Sequence, residues 1–229
     1  MRIFLMALLL MVSAFIGAPA RAADLPQYPD VQVPEVDYGL QGSFYLRGSA
    51  GLNMLTTQQH VDTTGCTCLP PTGAGYGYSI GAGFGYEVGN GLRVDATVDY
   101  LSNDGLTDGT NTLHLRAGVA LANAYYDFPL SGGGSAGGGF GAYLGAGAGA
   151  ALYTTHVTVA GPTPTDGGGW TPTVAAMAGV TYDAGAWVAD VGYRMLYMPK
   201  ISNYVPGDSF SLNDNLVHEI RGTVRYRFQ

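Results

Sequence analysis

The sequence predicts an all-β protein, an eight-stranded antiparallel up-and-down transmembrane β-barrel with a filled polar interior. Apolar residues alternate with polar or small ones along several segments, and this period of two is typical of strands. After the N-terminal leader no apolar run approaches the roughly 20 residues of a transmembrane helix. A closed barrel is the other structure that pairs every backbone polar group inside a bilayer. The arginines of the alternating segments share one face: Arg47, Arg93, Arg116, Arg194, Arg221, Arg225 and Arg227.

The composition disfavours two broad classes of protein. The 229 residues include 36 Gly and 16 Tyr, only 12% are charged, and the formal net charge is −7. Lys200 is the single lysine. Soluble surfaces usually carry charge on roughly a quarter or more of their residues, so an ordinary soluble domain is disfavoured. Nucleic acid is not an expected partner, because it requires basic patches.

The N-terminal residues predict export. Arg2 precedes an apolar run from Ile3 to Ile16, and Ala20-Arg21-Ala22 has the small-x-small pattern of a signal-peptidase site. We predict a signal peptide over residues 1–22, cleaved after Ala22 or one residue later. The run is short for a membrane anchor, which is the alternative.

Residues 23–41 form a proline-rich acidic lead-in, and residues 42–229 are predicted to form the barrel. The lead-in reads as extended chain because proline cannot donate to a strand ladder. In the first strand, 44–53, and the second, 76–88, the even positions are apolar or glycine. Gly89-Asn90-Gly91 then forms a tight hairpin to the third strand, 92–100, because Asn-Gly tolerates positive φ.

The remaining strands follow the same logic. In the fourth, 112–126, apolar residues occupy odd positions from Leu113 to Leu121, so His114 and Arg116 are predicted to point inward. A glycine-rich connection leads to the fifth strand, 140–153, and Asp183-Ala184-Gly185 joins the sixth and seventh. Even strand number and alternating short and long connections suit a bacterial barrel, although the connection 127–139 is long on the short-turn side. The last three strands are predicted at 173–182, 186–197 and 216–228.

Alternation alone does not decide which face is inside, since a secreted lipocalin-like barrel would turn its apolar face inward. The polar face is rich in Gly, Ser and Thr, as in a tight interior. An arginine facing lipid at mid-depth costs about 2–4 kcal/mol, so we place the arginines inside. Aromatic residues near strand ends predict an interfacial girdle. Its predicted members are Tyr78, Tyr86, Tyr100, Trp187, Tyr197, Tyr226 and Phe228.

The inward charges are predicted to form a network that plugs the lumen. An eight-stranded barrel is only just wide enough to be filled by side chains, and buried charge must be paired. A narrow anion-favouring path is the alternative. The predicted interior network comprises Arg47, Glu87, Arg93, Asp95, Asp99, His114, Arg116, Asp190, Arg194, Glu219, Arg221, Arg225 and Arg227.

No catalytic, cofactor or metal site is predicted. His218 is the only strand histidine predicted to face lipid, and we expect no serine or carboxylate beside it, so an enzyme is not expected. Cys66 and Cys68 lie in a loop of an oxidising compartment and predict a loop-restraining disulfide. Metal binding with His60, or pairing with another molecule, is the alternative.

Several short motifs carry a resemblance to a known family. They are Tyr45-Leu46-Arg47-Gly48, Asn123-Ala124-Tyr125-Tyr126-Asp127-Phe128, Tyr143-Leu144-Gly145-Ala146-Gly147-Ala148-Gly149, Gly192-Tyr193-Arg194 and Arg225-Tyr226-Arg227-Phe228. With them, the chain from Gly42 onward resembles the small outer-membrane β-barrels of Gram-negative bacteria, the porin-like family of opacity proteins and heat-resistant agglutinins. The resemblance implies an outer-membrane location and recognition of the C-terminal strand by the outer-membrane insertion machinery. Members usually end on the aromatic residue, whereas Gln229 follows Phe228 here.

From these observations we expect a structural envelope protein that displays four long loops, which would carry any adhesion to host or surface ligands. A narrow porin that passes small solutes or ions is the alternative function. Outer-membrane lipid and lipopolysaccharide are the expected partners. Loop aspartates either attract divalent cations that bridge lipopolysaccharide or are solvated turn formers. These aspartates are Asp104, Asp108, Asp208 and Asp214.

Overall fold

The computed structural model of the chain describes residues 42–62, 75–107, 112–130, 139–158, 165–203 and 210–228. The predicted signal peptide, the lead-in, and Cys66 and Cys68 lie outside the described residues. No helix in the described ranges has the length and apolar character needed to cross a membrane.

Eight antiparallel strands close into a barrel, which confirms the predicted fold class. Each strand pairs with its neighbours in the chain, and the last strand pairs with the first. We call the end that holds the β2–β3 and β6–β7 turns the turn end, and the opposite end the loop end. The strands are β1 (Ser43–Asp62), β2 (Gly75–Glu87), β3 (Leu92–Thr107), β4 (Thr112–Pro129), β5 (Gly139–Thr158), β6 (Thr165–Asp183), β7 (Trp187–Asn203) and β8 (Phe210–Arg227).

The register around the barrel fixes the strand tilt. Paired residues followed once around the ring from Tyr45 return to β1 at Leu55, ten positions further along (55 − 45). With ordinary strand spacings this shear corresponds to a tilt of roughly 40° from the barrel axis. The residues on this path are Tyr45, Gly85, Asp95, Asn123, Gly147, Ala175, Leu196, Val217 and Leu55.

The two tight turns follow from glycine placement. Gly89, Gly91 and Gly185 have φ angles of 100°, 86° and 86°, which side chains with a Cβ rarely adopt. The Val88 N–H donates to the Leu92 carbonyl at 2.8 Å and closes the β2–β3 hairpin. The predicted pairing of these two strands is therefore confirmed.

Several strands run further toward the loop end than the sequence predicted. β1 continues to Asp62 and pairs there with β8, and β6 begins at Thr165. The prediction stopped where apolar alternation stops, whereas a ladder needs only backbone donors and acceptors.

At the loop end the ring separates into two sheets. The β6–β7 ladder ends at the pair Val174–Tyr197, and within the described residues the β1–β2 ladder ends at the pair Leu55–Gly75, where the described part of β2 begins. Beyond these pairs, β3 to β6 form one sheet, and β7, β8 and β1 form the other. Among the described residues, the loop end therefore consists of two facing sheets that continue from the closed barrel.

Side chains hold the two sheets together across both seams. At the β6–β7 seam, the Tyr153 hydroxyl donates to the Ser202 carbonyl at 3.2 Å and accepts from the Ser202 N–H at 2.8 Å. A Cβ on Gly169 would lie 2.9 Å from that hydroxyl, so glycine leaves room for the ring. At the β1–β2 seam, the Asn103 amide donates at 2.8 Å both to Asn53 Oδ1 and to the Gly75 carbonyl.

An apolar core fills the space between the two sheets. Its residues are almost completely buried, and they come from both sheets. The sequence analysis did not predict this core, because it assigned a polar interior along the whole barrel. The members nearest the loop end are Leu55, Leu101, Leu115, Ala117, Ala151, Tyr153, Leu196, Met198, Ile201, Leu212 and Val217.

Candidate functional site

The outer wall of the barrel is an apolar belt. Leu52 and Ile220 are 70% and 68% exposed, and they alternate along β1 and β8 with buried polar residues. Arg93 and Arg194 are only 2% and 1% exposed. The structure thus places large apolar side chains outside and most of the arginines inside. The orientation chosen from composition in the sequence analysis is the one found.

All of the predicted girdle residues point outward, and they fall at two levels. Tyr86, Trp187, Tyr226 and Phe228 lie near the turn end, where Trp187 and Tyr226 have ring centroids 4.8 Å apart. Tyr78, Tyr100 and Tyr197 lie toward the loop end. The sequence analysis missed further members of the turn-end ring, because it considered too few residues per strand. The missed members are Phe44, Phe84, Tyr126, Phe128, Phe140 and Tyr182.

A four-residue ion cluster lies across the middle of the interior. Arg194 donates to Asp99 Oδ2 at 2.7 Å and to Glu219 Oε2 at 2.9 Å. Arg221 donates to Asp99 Oδ1 at 2.8 Å. All four side chains are buried, so each charge depends on its partners for stabilisation. We call Asp99, Arg194, Glu219 and Arg221 the central cluster.

A second group lies one level closer to the turn end. Arg47 donates to Asp95 Oδ2 and to the Tyr125 hydroxyl, each at 2.8 Å. Tyr45 donates to the same Asp95 oxygen at 2.9 Å, and Asn123 donates to Asp95 Oδ1 at 2.7 Å. Asp95 is therefore surrounded by donors, and its side chain has no exposed surface.

The mouth at the turn end is closed by a third group. Glu87 accepts from Arg225 and from Arg227 at 2.7 Å each, and Arg225 also lies 3.6 Å from Asp190. Arg227 reaches Asp183 at 2.6 Å.

Arg93 completes this third group. It donates to Asp127 at 2.8 Å and lies 3.9 Å over the centre of the Tyr125 ring. The sequence analysis missed both Asp127 and Asp183, because it placed them in connections rather than strands.

The prediction that His114 and Arg116 belong to the interior network is wrong. Both face outward from β4, whereas Leu115 and Ala117 fill the apolar core. β4 has the opposite parity to that predicted because the pair Asp99–Val119 turns the odd positions of β4 inward. His218 is consequently not the only histidine on the outer wall.

Outward placement gives His114 and Arg116 a shared partner. Asp104 Oδ1 lies 2.7 Å from His114 Nδ1 and 2.7 Å from Arg116 NH1, and Asp104 Oδ2 accepts from Arg116 NH2 at 3.1 Å. Arg116 and His114 lie two and four positions beyond the level of Tyr100 toward the loop end, because the pairs are Tyr100–Gly118, Ser102–Arg116 and Asp104–His114. Since Tyr78 pairs with Ser102, Arg116 lies level with Tyr78, and Asp104 and His114 lie two positions further toward the loop end.

His218, a further outward histidine, has an aromatic partner. His218 Nδ1 lies 2.5 Å from the Tyr193 hydroxyl, and the two rings stack with centroids 6.1 Å apart. No serine or carboxylate contact to His218 is found within the described chain. Among the loop aspartates, Asp104 is part of β3 and Asp214, in β8, accepts from the Tyr197 hydroxyl at 2.7 Å. Asp108 and Asp208 lie outside the described residues.

The glycines of β5 make room for the interior network. A Cβ on Gly145 would lie 2.3 Å from the Tyr125 ring, and one on Gly147 would lie 2.1 Å from Asn123 Oδ1. Both positions face inward on β5 opposite the larger residues of β4. The Gly-x-Gly-x-Gly run is therefore a packing feature of a narrow barrel.

Fold and site together define a class of protein: closed eight-stranded barrels with an apolar outer belt and paired charges in a filled interior. Solved structures of outer-membrane proteins share this fold. Neisserial surface protein A matches with 22% identity over 81% of this chain and 97% of that chain, at a TM-score of 0.53. At this identity the likeness establishes the fold alone, and at that level it confirms the resemblance drawn from the motifs.

Two further solved structures are more distant. Ail of Yersinia pestis, in complex with the heparin analogue sucrose octasulfate, has 12% identity over 82% of this chain and 99% of that chain, with a TM-score of 0.47. The outer-membrane protein OprG of Pseudomonas aeruginosa has 19% identity over 82% of this chain and 96% of that chain, with a TM-score of 0.43. No protein-family model and no curated protein sequence matches the chain.

Proposed function

We propose that the chain is an integral outer-membrane protein that supports the cell envelope and displays its loop end at the cell surface. The observation that carries this proposal is the exposure pattern of the wall, in which bulky apolar side chains face out and six of the seven strand arginines, all but Arg116, face in. In water, an apolar belt around the whole molecule would promote aggregation, since monomeric proteins rarely expose large contiguous apolar patches. In lipid the same belt is stable.

The two levels of outward aromatic residues support this placement. Tyr and Trp prefer the two interfaces of a bilayer, and here they lie at the two edges of the apolar belt. Short turns usually face the periplasm and long connections the exterior. The turn end would therefore be periplasmic, and the loop end would project outside the cell.

The interior supports a plugged lumen over the alternative of a narrow porin. A permeating ion would have to break paired, buried charges in the central cluster. It would then meet the apolar core between the two sheets, where Leu196, Met198 and Ile201 have no exposed surface. A charge in such surroundings is strongly disfavoured.

The partners follow from the same placement. Lipid and lipopolysaccharide would contact the belt and the outer rim, and the C-terminal strand, ending in Arg225-Tyr226-Arg227-Phe228, would be recognised by the insertion machinery. Adhesion to host or surface ligands would depend on segments 63–74, 108–111, 159–164 and 204–209, which lie outside the described residues. Export would require removal of residues 1–22.

Cell fractionation with heated and unheated gel samples tests the proposal. We expect the protein in the detergent-insoluble outer-membrane fraction, lacking its leader by mass spectrometry, with a mobility shift upon boiling. Recovery of folded protein from the culture supernatant or periplasm without detergent would contradict the membrane assignment.

Planar-bilayer recording tests the plugged lumen. Purified, folded protein should give no reproducible single-channel steps, and a large porin from the same host is the positive control. Steady unitary conductance that disappears after immunodepletion of the protein would favour the porin alternative. Binding of folded protein to host cells that is lost after loop replacement would support surface display with adhesion.

A further inference from the structure

A pair of histidines lies on the outer wall at the loop end. His114 on β4 and His156 on β5 are directly paired across the two strands, and their ring centroids are 6.2 Å apart. Both residues are accessible, and they border a hollow that also includes Arg116, Thr154 and Gly168. Nothing in the proposed membrane role requires two imidazoles at this point.

We propose that His114 and His156 are the protein ligands of a surface site for a divalent transition-metal ion, with Asp104 positioning His114. Metal–nitrogen distances of about 2.0–2.1 Å place two imidazole centroids on one ion roughly 5–6 Å apart. The observed 6.2 Å separation is close to that range. A small side-chain adjustment on an exposed wall brings the pair within it.

The contact to Asp104 matches the way proteins prepare a metal-binding histidine. Asp104 Oδ1 lies 2.7 Å from His114 Nδ1. A carboxylate on one ring nitrogen keeps the proton there and leaves the lone pair on the other nitrogen for the metal. The geometry thus selects Nε2 of His114 as the ligand atom.

The contacts of Arg116 to Asp104 explain why the aspartate has a supporting role and is not a ligand. Its guanidinium donates to Asp104 Oδ1 at 2.7 Å and to Oδ2 at 3.1 Å. With both oxygens engaged, Asp104 supports His114 and does not itself bind the ion. The aspartate also offsets the arginine charge, so an approaching cation meets a local pair of nearly zero net charge.

The ligand type determines which ions fit. Imidazole nitrogen suits copper, nickel and zinc, whereas calcium and magnesium prefer oxygen ligands. For a given nitrogen site, affinity rises to copper(II) and falls again at zinc. We expect copper(II) to bind most tightly, nickel and zinc more weakly, and calcium or magnesium not to compete. Water would complete the coordination.

The test is metal titration of the tag-free, full mature chain, folded in detergent, with the thiols of Cys66 and Cys68 blocked by alkylation. Isothermal titration with nickel and with copper(II) gives affinity and stoichiometry. We expect one ion per chain, an affinity loss of at least tenfold in His114→Ala and in His156→Ala, and a loss of about 10–100-fold in Asp104→Asn. His218→Ala is the matched control on the same outer wall, and it should leave the affinity unchanged.

A second measurement on the unsubstituted protein covers variants that fail to fold. Zinc should protect His114 and His156 from acylation by diethyl pyrocarbonate, read by mass spectrometry, while His218 stays as reactive as without metal. Equal affinity in the unsubstituted chain and in both alanine variants would overturn the proposal. Protection of no histidine, or of His218 alone, would overturn it as well. These outcomes are independent of the membrane placement, which fractionation tests.

Discussion

Two neighbouring inward positions on β7 mark the border between two kinds of interior. Arg194 is bonded to Asp99 and Glu219 in the central cluster, and the next inward residue, Leu196, belongs to the apolar core. Both side chains are almost completely buried. Toward the turn end the barrel is filled by paired charges, and toward the loop end by aliphatic side chains.

The contrast shows that the polarity of the outward side chains determines the polarity of the inward ones, because the two alternate along each strand. Where the outer surface of the wall is the apolar belt, the polar residues of the strands can lie only in the interior. From the level of Tyr78 toward the loop end, the wall carries Asp104, His114 and Arg116 outward, and its apolar residues turn inward, as in a soluble sandwich. One strand, β4, does both along its length.

The largest expected effect comes from breaking the charged half at the border. Arg194→Ala leaves Asp99 and Glu219 buried with fewer partners, and removal of one member of a buried ion group typically costs about 3–5 kcal/mol. Urea unfolding of the folded protein in vesicles, followed by gel mobility, measures this loss. Arg116→Ala is the control, because its pair with Asp104 is largely exposed and should change the unfolding free energy by less than about 1 kcal/mol. Equal losses of unfolding free energy in the two variants would show that the buried cluster stabilises the barrel no more than the exposed pair does.

Disrupting the neighbouring apolar half of the interior should reduce the unfolding free energy slightly less. Leu196→Ala removes buried aliphatic volume from the core, for which about 2–5 kcal/mol is expected. The same unfolding assay applies. The matched variant Leu130→Ala lies at the exposed turn end and should shift stability by less than about 0.5 kcal/mol. A negligible effect at Leu196 would show that the sheets are not packed on each other.

A methyl group tests how tightly the charged half is filled. In Gly147→Ala the new Cβ would lie 2.1 Å from Asn123 Oδ1, so Asn123 must move away from Asp95. We expect a loss of about 1–3 kcal/mol in unfolding free energy. Gly118→Ala places the same methyl on the outer wall, where no atom lies within 4 Å, and should be nearly neutral. If the two substitutions behave alike, the interior is looser than the contacts indicate.

The smallest expected effect is local and concerns the β6–β7 seam. Tyr153→Phe removes both hydrogen bonds to Ser202, so amide exchange at Ser202 should accelerate about tenfold or more with little change in global stability. Hydrogen exchange read by mass spectrometry on peptides spanning 198–203 measures it. Tyr143→Phe, another buried tyrosine nearer the turn end, should leave this exchange unchanged. Unaltered exchange in Tyr153→Phe would mean that other contacts hold the seam.

The sequence predicted the strands and their faces well wherever the apolar belt surrounds the barrel. Strand number, closure, the β2–β3 hairpin and the inward arginines of β1, β3, β7 and β8 all followed from period-two alternation. These features depend on one local rule, that charge avoids lipid, which a single strand displays by itself.

The rule failed on β4 because it was applied beyond the belt. The polar residues His114 and Arg116 were assumed to be inside, although Asn123 and Asp127 share parity with Leu115. Those two polar residues were a signal that the odd positions of β4 face inward. The apolar core and the seam bridges of Tyr153 and Asn103 could not be predicted, since they depend on where two ladders end.

The pairing of the last strand with the first has a consequence for biogenesis. The Phe228 N–H donates to the Phe44 carbonyl at 2.9 Å, so closure joins residues from opposite ends of the barrel domain. Until β8 has been synthesised and has paired, β1 and β7 keep open edges, which template aggregation. Contacts of such long sequence separation also form slowly. The unclosed chain must therefore be protected from aggregation until β8 pairs, and a product that lacks β8 could not close the barrel.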